Sequence, residues 1–147
     1  MGQRRKAREY ALQILFQFEF DEYADERKEK TFWRDRRASH DVKEYSRRLT
    51  SGVQSYKEEI DSFISSVSVN WRLSRMAIVD RNILRIAVFE LLYEKETAAA
   101  VVINEAIEIA KKFGSEEAPS FINGVLDAVV KKIGGPRKKN EEKKNGG

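Results

Sequence analysis

The chain contains no cysteine, only two prolines and eight glycines, and a single histidine, His40. The missing cysteine excludes disulfides, thiolate metal sites and thiol nucleophiles together, and suits a reducing compartment. With one histidine there is no familiar zinc ligand set and no Ser-His-Asp arrangement. A glycine-rich phosphate loop is also missing. The longest apolar run, residues 98–103, is too short to span a bilayer, so no membrane partner is expected. The amino-terminal end has cations but no apolar signal-like region. Its Glu9 and its direct merger into a core-patterned helix also argue against a transit peptide.

What is abundant is charge. Charged residues make up 35% of the 147, against 41% hydrophobic, a mix that suits a helical protein with a heavily solvated surface. A chain of this length buries roughly 70% of its unfolded surface, enough for a conventional core. The net charge is +4; Arg4, Arg5, Lys6 and Arg8 give the first eight residues +4, residues 137–147 carry +3, and the body between is therefore −3. Basic character concentrated at the two ends points to a polyanionic partner. The expected organisation is a helical domain over residues 1–134 and a disordered charged tail over 135–147, which follows a Gly-Gly-Pro break.

Apolar residues recur at helical spacing almost throughout, so the expected fold is all-α. A first helix is expected over Gln3–Phe20, then a loop or short surface helix around Lys28–Arg37. Asp41 and Glu44 have capping-box spacing and open one long helix that carries Val42, Leu49, Val53, Ile60, Ile64 and Val67. "MAIVDRNILRIAVFELLYE" is apolar on nearly every side and reads as a central helix. "VVINEAIEIAKKFG" stops at two lysines and Gly114; "APSFINGVLDAVVKKIGG" starts at Pro119 and ends at Gly134. Five or more helices make a compact bundle.

On the first helix, Ala7, Ala11, Ile14, Leu15 and Phe18 form a core stripe, with Arg4, Arg5 and Arg8 on one surface beside it. Cations at a helix amino terminus oppose its dipole, so another use is expected; phosphate, which guanidinium binds with paired hydrogen bonds, is the favoured one. Phe16 points away from the stripe, either onto another helix of the domain or onto a protein partner. Glu105 and Glu108 read as a solvated face, and His40 as a surface neighbour of a helix cap. Asp80, Arg81, Asn82 and Arg85 on the central helix are either paired internally or part of an interface. Gly124 is expected to allow close helix approach.

In order along the chain, "RRKAREYALQILFQFEF", "VDRNILRIAVFELL", "VINEAIEIAKKFG" and "FINGVLD" resemble the NusB family of transcription antitermination factors over about residues 3–133. The resemblance implies two perpendicular helical sub-bundles and a non-enzymatic, cytoplasmic RNA-binding adaptor without a cofactor. Its implied partners are the small-subunit ribosomal protein that acts as NusE, boxA-type single-stranded RNA of ribosomal RNA operons, and the RNA polymerase antitermination complex. It further implies RNA binding by Arg4, Arg5, Lys6 and Arg8 and by the aromatics Phe113 and Phe121, and partner binding by Phe16, Asp80 and Glu117. No catalytic or metal residue is implied.

Three departures from the family pattern stand out. Phe16 replaces a commoner tyrosine, Ser120 stands where many members have a cation, and "KETAAAVV" lacks a proline. Two alternatives are a domain related to the amino-terminal part of ribosomal RNA cytosine methyltransferases and a homodimer that masks the RNA surface. A chain of 147 residues is expected to have no room for the enzyme's cofactor-binding domain. Replacing Arg5 or Arg8 by glutamate is expected to weaken RNA binding with little loss of stability.

Overall fold

The computed structural model describes residues 2–21, 26–68 and 70–134; the charged tail expected over 135–147 lies outside them. Among the described residues there are seven α-helices and no strand. They are α1 (Gly2–Phe20), α2 (Glu26–Arg34), α3 (His40–Ser55), α4 (Lys57–Val67), α5 (Ile78–Tyr93), α6 (Ala99–Phe113) and α7 (Ala118–Ile133), with a short 3₁₀ turn, Leu73–Arg75, before α5.

The uninterrupted apolar pattern of α5 is explained by its place. Every residue from Asn82 to Leu91 is buried, and the helix touches α1, α3, α4, α6 and α7. Around it, α1 lies on α3, and α6 lies on α7. Leu49, Ile60, Ile64, Leu84, Ile122 and Leu126 are fully enclosed in the shared core. Fully burying one such side chain contributes about 1.5–3 kcal/mol, and no single contact dominates.

Four expectations need correction. Where one long helix was expected, the chain bends at Tyr56, whose backbone (φ −112°, ψ 23°) leaves the helical region between α3 and α4. The bend lets α3 lie along α1 while α4 turns to α5 and α7. The cap of α3 is Ser39, whose hydroxyl accepts from the Val42 amide at 3.2 Å; the Asp41–Glu44 pair starts two residues too late. The α2 segment is not merely on the surface. Its Phe32 and Trp33 are buried with Ile14 in a small second core, and the ring of Tyr10 meets both edge-on.

The fourth correction concerns glycine. Gly124 is exposed, and a Cβ built there would meet nothing. Close approach occurs instead at Gly52 of α3, where a Cβ would fall inside the ring of Phe89 on α5. The chain ends its last described helix at Gly134, with φ 120°, as its position after two lysines predicts.

Candidate nucleic-acid interface

The four cations at the start of α1 separate into different environments. Arg8 is buried, 4% exposed, and donates from Nε and Nη2 to the two carboxylate oxygens of Glu90, both at 2.9 Å. Its Nη1 reaches Glu105 at 3.4 Å, and the Tyr45 hydroxyl donates to Glu90 at 2.6 Å. Burial opposes the Arg8 charge, but hydrogen bonding and the charge of Glu90 outweigh it and raise the guanidinium pKa. Burial, followed by the neighbouring Glu90 charge, pushes the Tyr45 phenol far up. Arg8 is therefore an internal tie between α1, α5 and α6, and the expectation that its reversal would spare stability does not hold.

Arg5 donates in a bidentate pair to Glu105, at 2.9 and 2.7 Å, while its side chain stays 40% exposed. The Arg5 hydrogen bond and charge hold Glu105 below the usual carboxylate range, against its own burial. Glu105, read from the sequence as part of a solvated face, is 2% exposed. Arg4 and Lys6 are exposed; Arg4 lies over the Tyr45 ring at 3.9 Å and Lys6 near the Tyr10 ring at 5.5 Å. Aromatic rings leave guanidinium donors unspent, so Arg4 keeps its hydrogen-bonding capacity. It lines a groove of about 580 Å³ between α1 and α3, with Arg47 and Arg48 on the opposite wall and Asp41 and Glu44 at its side. The dipole conflict at the start of α1 thus has two remedies: carboxylates from α5 and α6 for Arg5 and Arg8, and exposure for Arg4 and Lys6.

Phe113 is half-buried at the end of α6, beside Lys112, whose ammonium pairs with Glu9 of α1 at 3.0 Å. That ion pair ties the end of α6 to the cationic helix. Phe121 is half-buried on α7 and meets Trp71 edge-on, centroids 5.9 Å apart. It shares a groove of about 230 Å³ with Asp80 and the exposed Glu117. Asp80 is buried, one carboxylate oxygen has no hydrogen-bond partner, and burial pushes its pKa up. Phe16 is not in this groove. It is 37% exposed and packs on the still more exposed Phe20, centroids 5.0 Å apart, so no other helix of the domain covers it.

The remaining polar residues of α5 are paired internally. Arg81 holds Glu19 with two hydrogen bonds of 2.8 and 2.9 Å, Asn82 adds a third at 3.0 Å, and Arg85 bridges Glu19 and Asp61. The Arg81 hydrogen bond leads in lowering the Glu19 pKa to about 2. Because the folded value lies below the unfolded one, the stabilisation is complete above about pH 4.5 and is lost as pH falls toward 2. Glu19→Gln is therefore expected to flatten the acid limb of a melting-temperature profile in that window. An unchanged limb would show that another carboxylate controls it.

Sequence reasoning passed over Glu90 and Trp71, and it read Glu105 as solvated where it is buried. A signal existed for the first: a carboxylate in the middle of "AVFELL" on an otherwise enclosed helix must find a cation.

An all-helical domain whose exposed chemistry is a cationic helix start and a set of partly bared aromatic rings is, by class, a nucleic-acid-binding and protein-binding module. The chain belongs to the NusB family of transcription antitermination proteins, whose match extends over residues 5–131. It is 45% identical over 139 residues to the transcription antitermination protein NusB of Koribacter versatilis (strain Ellin345), covering 94% of this chain and 95% of that one. The corresponding protein of Myxococcus xanthus (strain DK1622) is 42% identical over 140 residues, 92% of this chain and all of the relative.

Among solved structures, T. maritima NusB superposes with a TM-score of 0.81 at 38% identity, covering 95% of this chain and 96% of its own. A crystal structure of antitermination factors NusB and NusE in complex with dsRNA gives 0.77 at 28% identity, over 89% and 98% of the two chains. Among the described residues no helix is long and apolar enough to cross a membrane, and no cluster of histidine, aspartate and glutamate could hold a metal ion.

Proposed function

We propose that this chain is a cytoplasmic, non-enzymatic adaptor that binds boxA-type RNA of nascent ribosomal RNA transcripts together with a NusE-type ribosomal protein. In that role it joins the RNA polymerase antitermination complex and suppresses premature termination. The observation that carries this reading is the flank of α1. Arg4 and Lys6 are exposed, and Arg5 is half-exposed with its guanidinium fixed by Glu105. These three cations meet the phosphates, with Arg8 as their buried anchor. Phe113 and Phe121 offer ring edges to unpaired bases. Phe16, with Asp80 and Glu117, meets the ribosomal protein.

The test is fluorescence anisotropy of a labelled boxA-like RNA against a scrambled one, with and without the NusE-type protein, at several salt concentrations. Three phosphate contacts to a single strand give a log-log salt slope of about −2, where four would give about −3. Arg4→Glu with Lys6→Glu is expected to weaken RNA binding about tenfold or more and to bring the slope below about −1 in magnitude. Equal binding of both RNAs, indifferent to the partner, would reject the reading. Phe16→Ala is expected to weaken partner binding about tenfold while leaving the melting temperature in place, since an exposed aromatic contributes to an interface more than to the core. A collapsed melting transition would make Phe16 a core residue instead.

A further inference from the structure

The connection from α2 to α3 begins with "RDRR", residues 34–37, a positive segment within a body of net negative charge. Arg34 closes α2, where the helix dipole favours a cation, and Arg36 and Arg37 follow it. Arg34 and Arg37 are exposed, and among the described residues no carboxylate pairs with either guanidinium. Other arginines of the fold are held internally: Arg5 by Glu105, Arg8 by Glu90, Arg81 by Glu19 and Arg85 by Asp61. The arginines after α2 are left for something outside the domain.

Arg36 is fixed in place. Its guanidinium lies over the Phe32 ring at 3.6 Å, and its Nη1 donates to the Phe32 carbonyl at 2.8 Å, so Nε and Nη2 keep their donors. Phe32 also meets Tyr10 edge-on, centroids 5.8 Å apart, and the Lys6 ammonium lies 5.5 Å from the Tyr10 ring. The cationic start of α1 and the arginines after α2 therefore share one aromatic support. That support is closed to ligands, since Phe32 is 4% and Trp33 5% exposed. None of the exposed large apolar side chains among the described residues lies on α2 or on the connection.

We infer that the α2–α3 connection is a second phosphate-binding surface, on which Arg34, Arg36 and Arg37 continue the track begun by Lys6 and hold the backbone of single-stranded RNA flanking the boxA-type segment. The inference rests on the reading of the chain as an RNA-binding adaptor and adds a contact outside the segment that α1 binds. Two observations choose the occupant. Cations without carboxylate partners, next to other exposed cations, suit a polyanion and its released counterions. A protein interface would be centred on apolar or aromatic side chains, and here those rings are buried. With no open ring face to stack on a base, the surface holds phosphates and reads no sequence.

The experiment measures anisotropy of a boxA-like RNA alone and of the same RNA extended on its 5′ or its 3′ side by about ten nucleotides of two unrelated sequences, at several salt concentrations. The wild type is expected to bind one extended form about tenfold more tightly than the bare segment, whichever flanking sequence is used, with a log-log salt slope steeper by about 2 for three added phosphate contacts. Arg34→Gln with Arg37→Gln is expected to remove most of that gain while binding the bare segment within about twofold. Arg34→Lys with Arg37→Lys is expected to keep most of it, because phosphate needs the charge. The control, Lys95→Gln with Lys132→Gln, removes the same charge from exposed positions elsewhere and is expected to keep the gain. No gain in the wild type, a gain that survives the Arg→Gln changes, or an equal loss in the control would each overturn the inference and leave the adaptor reading intact. Equal weakening of bare and extended RNA would place these arginines in the boxA site and overturn it too, as would weakened binding of the NusE-type protein with RNA binding unchanged. A wild type that binds none of the RNAs would reject the adaptor reading itself. Both glutamine positions are exposed, so the melting temperature is expected to stay within about 2 °C. Should the glutamine variant not fold, the wild-type comparison of bare and extended RNA decides.

Discussion

Arg8→Ala is expected to lower the free energy of unfolding by about 3–5 kcal/mol, the range for removing one member of a buried ion pair. The reason is what remains. Glu90 is 1% exposed and would lose both guanidinium hydrogen bonds, which are charge-assisted, while the Tyr45 hydroxyl stays on its carboxylate. Glu105 would lose its second guanidinium but keep Arg5. Changing Arg8 and Glu90 together to methionine is expected to cost less than the two single changes combined, because neither charge is then stranded. Urea denaturation of the three variants measures this. A loss below about 1 kcal/mol for Arg8→Ala would show that water or a shifted side chain replaces the guanidinium. Arg4→Ala is the control: its guanidinium rests on a ring at the surface, and its loss is expected to stay within about 1 kcal/mol.

The second large effect has the opposite sign from the one helix propensity would give. Alanine is favoured over glycine inside a helix by about 1 kcal/mol, so Gly52→Ala in the fourth turn of α3 would stabilise an isolated helix. In the folded protein the added methyl would occupy the Phe89 ring, which is itself 5% exposed and tilted against the Tyr93 ring. The ring has no open side to move to. Overpacking of this kind typically costs about 1–3 kcal/mol, so a net destabilisation of roughly 1–2 kcal/mol remains after the propensity gain. Gly124→Ala, with open space around its Cβ, is expected to be neutral or stabilising by up to about 1 kcal/mol. The two alanine variants, compared by thermal melting, separate local preference from packing. Equal shifts of the same sign would mean that α3 and α5 move apart to accept the methyl.

The local pattern determined a good deal. The helical period of the apolar residues gave the fold class, and the apolar surround of residues 76–94 identified α5 as central, because burial on every side leaves no polar face to write. Glycine and proline set the ends of α6 and α7, since their backbone preferences act within a few residues. Phe16 was assigned a direction by the helical wheel alone, and that direction is toward solvent. The concentration of cations in the first eight residues was equally visible.

Tertiary structure decided how those cations are divided. Arg5 is 100 residues from Glu105, and Arg8 is 82 from Glu90; a local pattern shows that a charge exists and is silent about the distant carboxylate that meets it. The same holds for the two glycines in α3 and α7, alike in helical context and different in what lies opposite. The bend at Tyr56 leaves the apolar spacing nearly in phase, so periodicity ran straight through it. Asp80 is the clearest case, since only the packing of α5 against α7 shows a carboxylate oxygen without a partner, beside an indole ring left open to solvent. Sequence determined which residues carry charge, rings and helical faces. Folding decided which of them are used up inside the molecule and which are left for something else to bind, because that depends on contacts across the whole length of the chain.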